Sequence, residues 1–189
     1  MNLFINAVSN KGIIILFDNK RQILDKQNIE VLLNESSNLL ENIDSFMDKN
    51  NIVYNNIENI IVVNGPGSFT GLRTIALIVN TINYIIKKSI TTINFFELFN
   101  NYPIIKSSSR RDIFIKENKN KEIKILSNDE ALKLIKENNI KDVYGDLSNN
   151  FFENINLNSD IDYEKIIKNI SFDNKKIIKP LYIKKPNIS

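Results

Sequence analysis

The side chains able to do acid-base or metal chemistry in this sequence are almost all carboxylates. The 189 residues include no His and no Cys, which removes imidazole bases, thiolate nucleophiles and nearly all zinc sites. Asp18, Asp25, Asp112 and Asp146 are the candidate metal-binding carboxylates. Each lies beside a predicted turn or strand end, where Asp commonly makes local hydrogen bonds. We therefore favour structural roles for all four.

A glycine-rich stretch, NGPGSFTGLR at residues 64–73, is the candidate phosphate-binding loop. It joins a predicted strand to a predicted helix, where unpaired N–H groups and the helix dipole favour an anion. No Lys follows Gly71, so it is not a Walker loop, and its glycine spacing is one residue too long for a dinucleotide fingerprint. A tight turn is favoured, with Pro66 fixing φ and Ser68 or Thr70 capping the helix.

The first half of the chain is predicted to contain a meander followed by alternating helices and strands. The three meander strands are LFINAV, GIIILF and RQILDK. A helix follows over roughly residues 30–49, then the buried strand NIIVV, the glycine stretch, a helix of about five turns and the strand SITTI. Asn94 then lies where an N-cap would open a short helix.

The second half repeats this order in shorter form. RDIFIK and KEIKIL form a predicted hairpin, followed by a helix and the strand DVYG. Ser127 and Glu130 have capping-box spacing, and four apolar residues are assigned to the buried side of the helix: Ala131, Leu132, Ile135 and Ile140. We predict two related domains, 1–102 and a reduced 103–189. This element order is that of the ribonuclease-H-like fold shared by actin-like ATPases and sugar kinases, an α/β class.

Phosphoryl transfer requires a carboxylate that the first strand lacks. An actin-fold kinase places a carboxylate there to manage magnesium and the attacking group, whereas LFINAV offers Asn6. An amide is a poor magnesium ligand and no base. An active actin-fold phosphotransferase, in which Gly65–Thr70 hold a nucleotide phosphate, is therefore the alternative hypothesis.

The helix after the glycine stretch is apolar on nearly all sides. One stripe contains Leu72, Ile75, Ala76, Val79, Ile82 and Ile86, and a second contains Leu77, Ile78, Tyr84 and Ile85. A helix packed on a sheet normally keeps one polar face. Either the preceding helix covers the second stripe or a protein partner does, and we favour a partner.

Composition is that of a soluble globular protein, with 42% hydrophobic and 25% charged residues. We expect a cytoplasmic protein, since no apolar run approaches the roughly 20 residues of a membrane span and the N-terminus lacks signal-peptide features. The net charge of +3 is compatible with nucleic-acid binding through the lysines of FDNKKIIKPLYIKKP, but a solvated lysine surface is favoured.

The segment IENIIVVNGPGSFTGLRTIALIVNTINYIIKK closely resembles the signature strand, loop and helix of the bacterial TsaB (YeaZ) family. The matching loop residues are Gly65, Pro66, Gly67, Ser68, Phe69, Thr70, Gly71, Leu72 and Arg73. Weaker resemblance extends to NESSNLLENIDSFM, SSRRDIF and PLYIKKP.

The resemblance implies a non-catalytic actin-fold subunit that pairs with the catalytic protein TsaD, assisted by the ATPase TsaE. That system places a threonylcarbamoyl group on the adenosine beside the anticodon of tRNAs that read codons beginning with A. No cofactor is expected on this subunit alone, while the complex uses ATP and magnesium. The implied TsaD interface comprises Leu39, Leu40, Ile43, Leu77 and Ile78, a face through which the free chain could also homodimerise. The chain would contact tRNA through the complex, and no membrane association is expected.

Three departures from the family pattern argue further against residual catalysis. Asn6 stands where the family usually has Asp, Glu35 where a His often precedes Ser, and Ser108 where the hairpin motif usually opens with Asp. A peptidase is disfavoured because Ser68 has no evident activating base.

Overall fold

The computed structural model describes residues 1–9, 11–30, 38–147 and 155–183 and contains two five-stranded sheets. Short 3-10 turns occur at Tyr54–Asn56 and Phe95–Leu98. The regular elements in chain order are β1 (Asn2–Asn6), β2 (Lys11–Phe17), β3 (Ile23–Glu30), α1 (Asn38–Lys49), β4 (Asn59–Val63), α2 (Phe69–Ile86), β5 (Ser89–Ile93), β6 (Ile104–Ser107), β7 (Asp112–Lys116), β8 (Lys124–Ser127), α3 (Asn128–Glu137), β9 (Asp142–Asp146), β10 (Asn156–Asn158) and α4 (Tyr163–Asn169).

The first compact unit comprises Met1–Phe95 and Tyr163–Tyr182. Its strand order is β3-β2-β1-β4-β5, in which β1 to β3 form an antiparallel meander and β4 and β5 add in parallel. Parallel neighbours need a crossover, and α1 and α2 supply the two crossovers. The predicted meander and the helix-strand alternation are confirmed.

The second unit covers Phe96–Asp162 and repeats the same topology. From β8 its sheet runs β8-β7-β6-β9-β10, again an antiparallel meander followed by two parallel strands. The predicted internal repeat and the Ser127–Glu130 capping box are confirmed, and Ala131 and Ile135 are buried while Leu132 is half-buried. Strand β6 was not predicted, because it has four residues and one of them is a lysine.

The predicted domain boundary near residue 102 needs a correction for the C-terminal residues. Tyr163–Tyr182 belongs to the first unit, whereas the prediction placed it with the second. Lys175 pairs with Ile90 of β5 as an isolated antiparallel bridge. The Ile90 N–H donates a hydrogen bond to the Lys175 carbonyl at 2.8 Å. Ile178, 3% exposed, joins the core of the first unit. This return of the chain involves contacts without periodicity, so no sequence pattern predicted it.

One face of the first sheet carries the main core of that unit. Alternate β1 residues, Leu3 and Ile5, pack with the buried sides of α1 and α2. Phe4 points to the opposite face, where its ring makes an edge contact with Tyr163 of α4 at a centroid distance of 5.6 Å. The sheet of the first unit is thus covered on both faces, as its nearly continuous apolar strands predict.

Candidate partner-binding surface

The glycine loop is a tight, internally bonded turn between β4 and α2. Ser68 is the N-cap of α2, and its Oγ accepts a hydrogen bond from the Gly71 N–H at 3.1 Å. A Cβ at Gly71 would lie 2.8 Å from that same oxygen, so the cap needs glycine there. The predicted capping role of Ser68 is confirmed.

The same loop holds the end of the described chain, which we call the C-terminal segment (Asp173–Tyr182). The Leu181 N–H donates to the Asn64 carbonyl at 2.8 Å, and Asn64 Nδ2 donates to the Lys179 carbonyl at 3.1 Å. Gly65 has φ +129°, and a Cβ there would lie 2.8 Å from the Leu181 carbonyl oxygen. The Phe69 ring lies 5.1 Å from that of Tyr182. Close packing against another part of the chain therefore explains these residues without a bound phosphate.

Helix α2 has a buried face and an exposed apolar face. The predicted first stripe is confirmed as core, since all six of its residues are buried. Three residues on the other side, which we call the α2 outer face, are exposed although large and apolar: Leu77 (68%), Tyr84 (83%) and Ile85 (71%). Ile78 is half-buried and packs against the core. The sequence prediction that the second stripe would lie outside the core holds for three of its four residues.

The assignment of α1 residues to the partner interface needs a correction. Leu39 and Ile43 are 5% and 0% exposed and belong to the core, because α1 packs these side chains against the sheet. Leu40, the intervening residue, is 41% exposed. The interface prediction therefore keeps Leu40 and Leu77, and Ile78 could contribute only its exposed part. Glu35, one of the departures from the family pattern, lies outside the described residues.

Asn6 is a fully buried hub of a polar network at the end of β1. Its Nδ2 donates to Ser9 Oγ at 3.0 Å and to Tyr163 Oη at 3.0 Å, and its Oδ1 accepts from the Val8 N–H at 3.3 Å. Both ends of the amide are thus engaged by protein groups. At the position where an actin-fold kinase needs a carboxylate, this chain has a structural amide.

The four candidate carboxylates have local structural partners. Asp18 accepts from the backbone of Lys20 and Gln22 and closes the turn between β2 and β3. Hydrogen bonds from Lys49 and Asn50 lower the pKa of Asp25 and tie β3 to α1. The two remaining carboxylates bond within the second unit: Asp112 to Ser109 and Asp146 to Lys106. Within the described residues, no three His, Cys, Asp or Glu side chains come together as a metal site.

Two asparagines of α2 form an attachment site that sequence reasoning did not identify. Asn80 exchanges two hydrogen bonds with the backbone of Ile178, at 3.2 and 2.8 Å. Asn83, 3% exposed, donates to the Lys176 carbonyl at 2.8 Å and accepts from the Lys88 N–H at 2.9 Å. The available signal was two amides three residues apart on an otherwise apolar helix.

Helix α2 also has the length and apolar composition of a membrane-crossing helix. The sequence-based expectation that the chain has no membrane span stays a prediction. The core helix of a globular protein meets the same criterion, and seven α2 residues are buried in the first unit. The finding is weak evidence for a membrane span.

Comparison with known proteins gives one family and a set of similar structures. Residues 32–111, which include the glycine loop and α2, match the model of the TsaD family, tRNA N6-adenosine threonylcarbamoyltransferase. No curated protein sequence matches the chain.

One similar solved structure is an uncharacterised protein with similarity to peptidase YeaZ from Pseudomonas aeruginosa. It has a TM-score of 0.68 at 10% identity, over 97% of this chain and 99% of the other. Another, YeaZ from Pseudomonas aeruginosa, has a TM-score of 0.56 at 12% identity, over 68% of this chain and 67% of the other. The predicted fold class, two related α/β units of the actin-like type, is confirmed. Residues 32–111 are thus similar to the TsaD family, and the chain shares the fold of the YeaZ structures.

Proposed function

We propose that this chain is a non-catalytic subunit that pairs with a TsaD-type threonylcarbamoyltransferase and stabilises or activates it. The reaction would form N6-threonylcarbamoyladenosine beside the anticodon, with a TsaE-type ATPase assisting and ATP and magnesium handled outside this subunit. The observation that carries the proposal is the α2 outer face. Its three large apolar side chains are 68–83% exposed on a helix whose other side is core.

The three exposed apolar side chains of the α2 outer face favour association with a partner protein. Complete burial of one such side chain is worth about 1.5–3 kcal/mol, and an exposed cluster of this kind usually marks an interface. Docking and side-chain ordering offset much of that energy, so the face favours a specific partner of matching shape over nonspecific association. A second copy of this chain is the competing occupant.

The Asn6 network supports the non-catalytic part of the proposal. A magnesium-dependent phosphoryl transfer needs a carboxylate to hold the metal, and the amide of Asn6 is already bonded to Ser9, Val8 and Tyr163. Titration calorimetry of the purified chain with magnesium and ATP should show no binding at micromolar concentrations. Micromolar affinity would instead favour the alternative, an active actin-fold phosphotransferase.

Leu77→Arg tests the pairing surface directly. Size-exclusion chromatography with light scattering, on the chain alone and mixed with the TsaD-like protein of the same genome, should show a complex that Leu77→Arg abolishes. Leu24→Arg is the matched control, because Leu24 is 51% exposed on β3 and outside α2. Ile78→Arg is a less specific test than Leu77→Arg, since Ile78 packs partly against the core. Normal pairing of Leu77→Arg would contradict this interface.

A further inference from the structure

One large aliphatic side chain of the C-terminal segment points into solvent. Ile177 is 57% exposed, whereas the adjacent Ile178 is 3% exposed and belongs to the core of the first unit. A single exposed apolar residue is ordinary on a protein surface, so its exposure alone does not mark an interface. The position of Ile177 in the fold is what makes it informative.

The backbone on both sides of Ile177 is fixed to α2. The Lys176 carbonyl accepts a hydrogen bond from Asn83 Nδ2 at 2.8 Å. Ile178 exchanges two backbone hydrogen bonds with the Asn80 amide, at 3.2 and 2.8 Å. Ile177 is therefore held beside α2 at the level of Asn80 and Asn83. A partner that covers it would lose little affinity to the ordering of the chain at this point.

This position borders the α2 outer face. Residues three and four apart are neighbours on a helix surface, so Asn80 lies next to Leu77 and Tyr84. Both of these side chains are exposed members of the α2 outer face. The segment attached at Asn80 therefore runs along the edge of that face, and Ile177 continues the apolar surface onto a second part of the chain.

The rim of this border is basic. Arg73, one turn before Leu77, is exposed, as are Lys176 and Lys179 of the segment, and α2 itself has no acidic residue. In the described part of the chain none of these three cations forms an ion pair, while the nearby Asp173 is engaged by Lys175 at 2.6 Å. A partner surface with an apolar centre and carboxylates at its rim complements this border. A second copy of the chain would bring a further net charge of +3 instead.

We propose that the C-terminal segment is a second element of the partner surface. The partner protein docks across the α2 outer face and Ile177 together, with its carboxylates against Lys176 and Lys179. This inference deepens the proposed function and rests on it for the identity of the partner, a TsaD-type protein. Because hydrogen bonds supply most of the segment's attachment, a partner docked over the segment would clamp it. Attachment of the segment and binding of the partner would then strengthen each other.

Ile177→Arg tests the segment separately from α2. Titration calorimetry measures the affinity of the full chain for the TsaD-like protein of the same genome, with the parent, Ile177→Arg, Leu77→Arg and Leu24→Arg in parallel. Loss of one buried apolar side chain predicts about tenfold weaker binding for Ile177→Arg. Leu24→Arg adds the same charge at a side chain that is 51% exposed on β3, the opposite edge strand of the first sheet, and should bind like the parent.

Lys176→Gln/Lys179→Gln tests the acidic rim expected of the partner. A rim charge acts mainly on the rate of association, so this variant should associate more slowly than the parent at low salt and equally fast at high salt. Lys119→Gln/Lys121→Gln removes the same charge from exposed positions of the second unit and is the control. Equal association rates of the parent and the segment variant at low salt would contradict the electrostatic part of the proposal.

Proteolysis measures the clamping without any substitution. Trypsin cleavage after Lys175, Lys176 and Lys179 should be several-fold slower in the complex than in the free chain. Cleavage after Lys119 and Lys121 provides the internal reference. This measurement decides the case if Ile177→Arg lowers the urea midpoint of the free chain, which an exposed side chain should leave unchanged.

The possible failures are distinguishable. If Leu77→Arg abolishes pairing while Ile177→Arg binds like the parent, or if the segment is cleaved equally fast in the complex, this inference is wrong and the proposed function stands. Absence of any complex with the parent chain would overturn the proposed function and this inference with it. If Ile177→Arg dissociates a homodimer of the free chain and leaves pairing unchanged, the surface belongs to a second copy, which also contradicts the inference.

Discussion

The side-chain amide of Asn83 donates a 2.8 Å hydrogen bond to the backbone carbonyl of Lys176, 93 residues later in the sequence. The other end of the same amide accepts the Lys88 N–H. A single buried side chain thereby joins α2, the residue that precedes β5 and the C-terminal segment. The C-terminal segment has one buried apolar residue, Ile178, and is otherwise held to the first unit by hydrogen bonds such as those of Asn64 and Asn80.

Asn83→Ala should release the C-terminal segment. The change leaves the Lys176 carbonyl and the Lys88 N–H without their partner, which costs about 1–3 kcal/mol for a buried polar group. Limited trypsin digestion followed by mass spectrometry should show faster cleavage within Lys175–Lys179 than in the parent chain. Thr81→Ala, at an exposed position of the same helix, is the control. Equal cleavage rates in all three proteins would contradict the anchoring role.

Gly65→Ala should destabilise the first unit, and Gly67→Ala should have little effect. Gly65 has φ +129° and an added Cβ would lie 2.8 Å from the Leu181 carbonyl oxygen, whereas a Cβ at Gly67 would meet Leu72 at an ordinary 3.4 Å. Strain in this backbone region costs about 1–3 kcal/mol. Urea unfolding of both variants measures the difference. Similar stability losses at the two positions would show that packing against Leu181 is not what requires glycine.

The sequence predicted most of the fold because its elements carry periodic patterns. The alternation of short apolar strands with amphipathic helices identified both meanders and the crossover helices, and Ser127 with Glu130 located the start of α3. The packing of the C-terminal segment against the first unit was not predicted, for a physical reason. Asn80 and Asn83 bind backbone carbonyls. Every residue has a backbone carbonyl, so the residue types at Lys176 and Ile178 do not reveal these contacts.

The candidate site was predicted only in part. The second stripe of α2 was identified correctly as lying largely outside the core, because a helix that is apolar all round must bury more than one face. Leu39 and Ile43 were assigned to the partner interface although they are core residues. An apolar residue on an amphipathic helix has the same sequence signature whether it faces its own sheet or a partner. Only the packing of α1 separates Leu40 from its neighbours.

Tyr163→Phe should destabilise the first unit although it keeps the aromatic ring. The Tyr163 hydroxyl accepts a 3.0 Å hydrogen bond from the buried Asn6 amide, and its loss leaves that N–H unpaired at a cost of about 1–2 kcal/mol. The ring contact with Phe4 would remain. Urea unfolding provides the measurement, with Tyr84→Phe as the matched control because Tyr84 is 83% exposed. If both variants unfold at the parent midpoint, the Asn6–Tyr163 hydrogen bond contributes nothing to stability.

Lys106→Met should change how stability depends on alkaline pH. Burial lowers the pKa of Lys106 from its usual 10.5, and the Asp146 carboxylate, 3.7 Å away, only partly opposes this. Between the folded-state pKa and 10.5 the unfolded chain therefore holds more protons than the folded chain, so the free energy of unfolding gains a contribution that rises with pH. Lys106→Met lacks this contribution. Denaturant unfolding at several pH values from 7 to 10 should show that the parent gains stability relative to Lys106→Met as pH rises. Lys133→Met is the control for net charge, because the Lys133 side chain is 76% exposed. A parent that loses stability relative to Lys106→Met over this range would mean that the ion pair with Asp146 outweighs burial and holds the lysine charged.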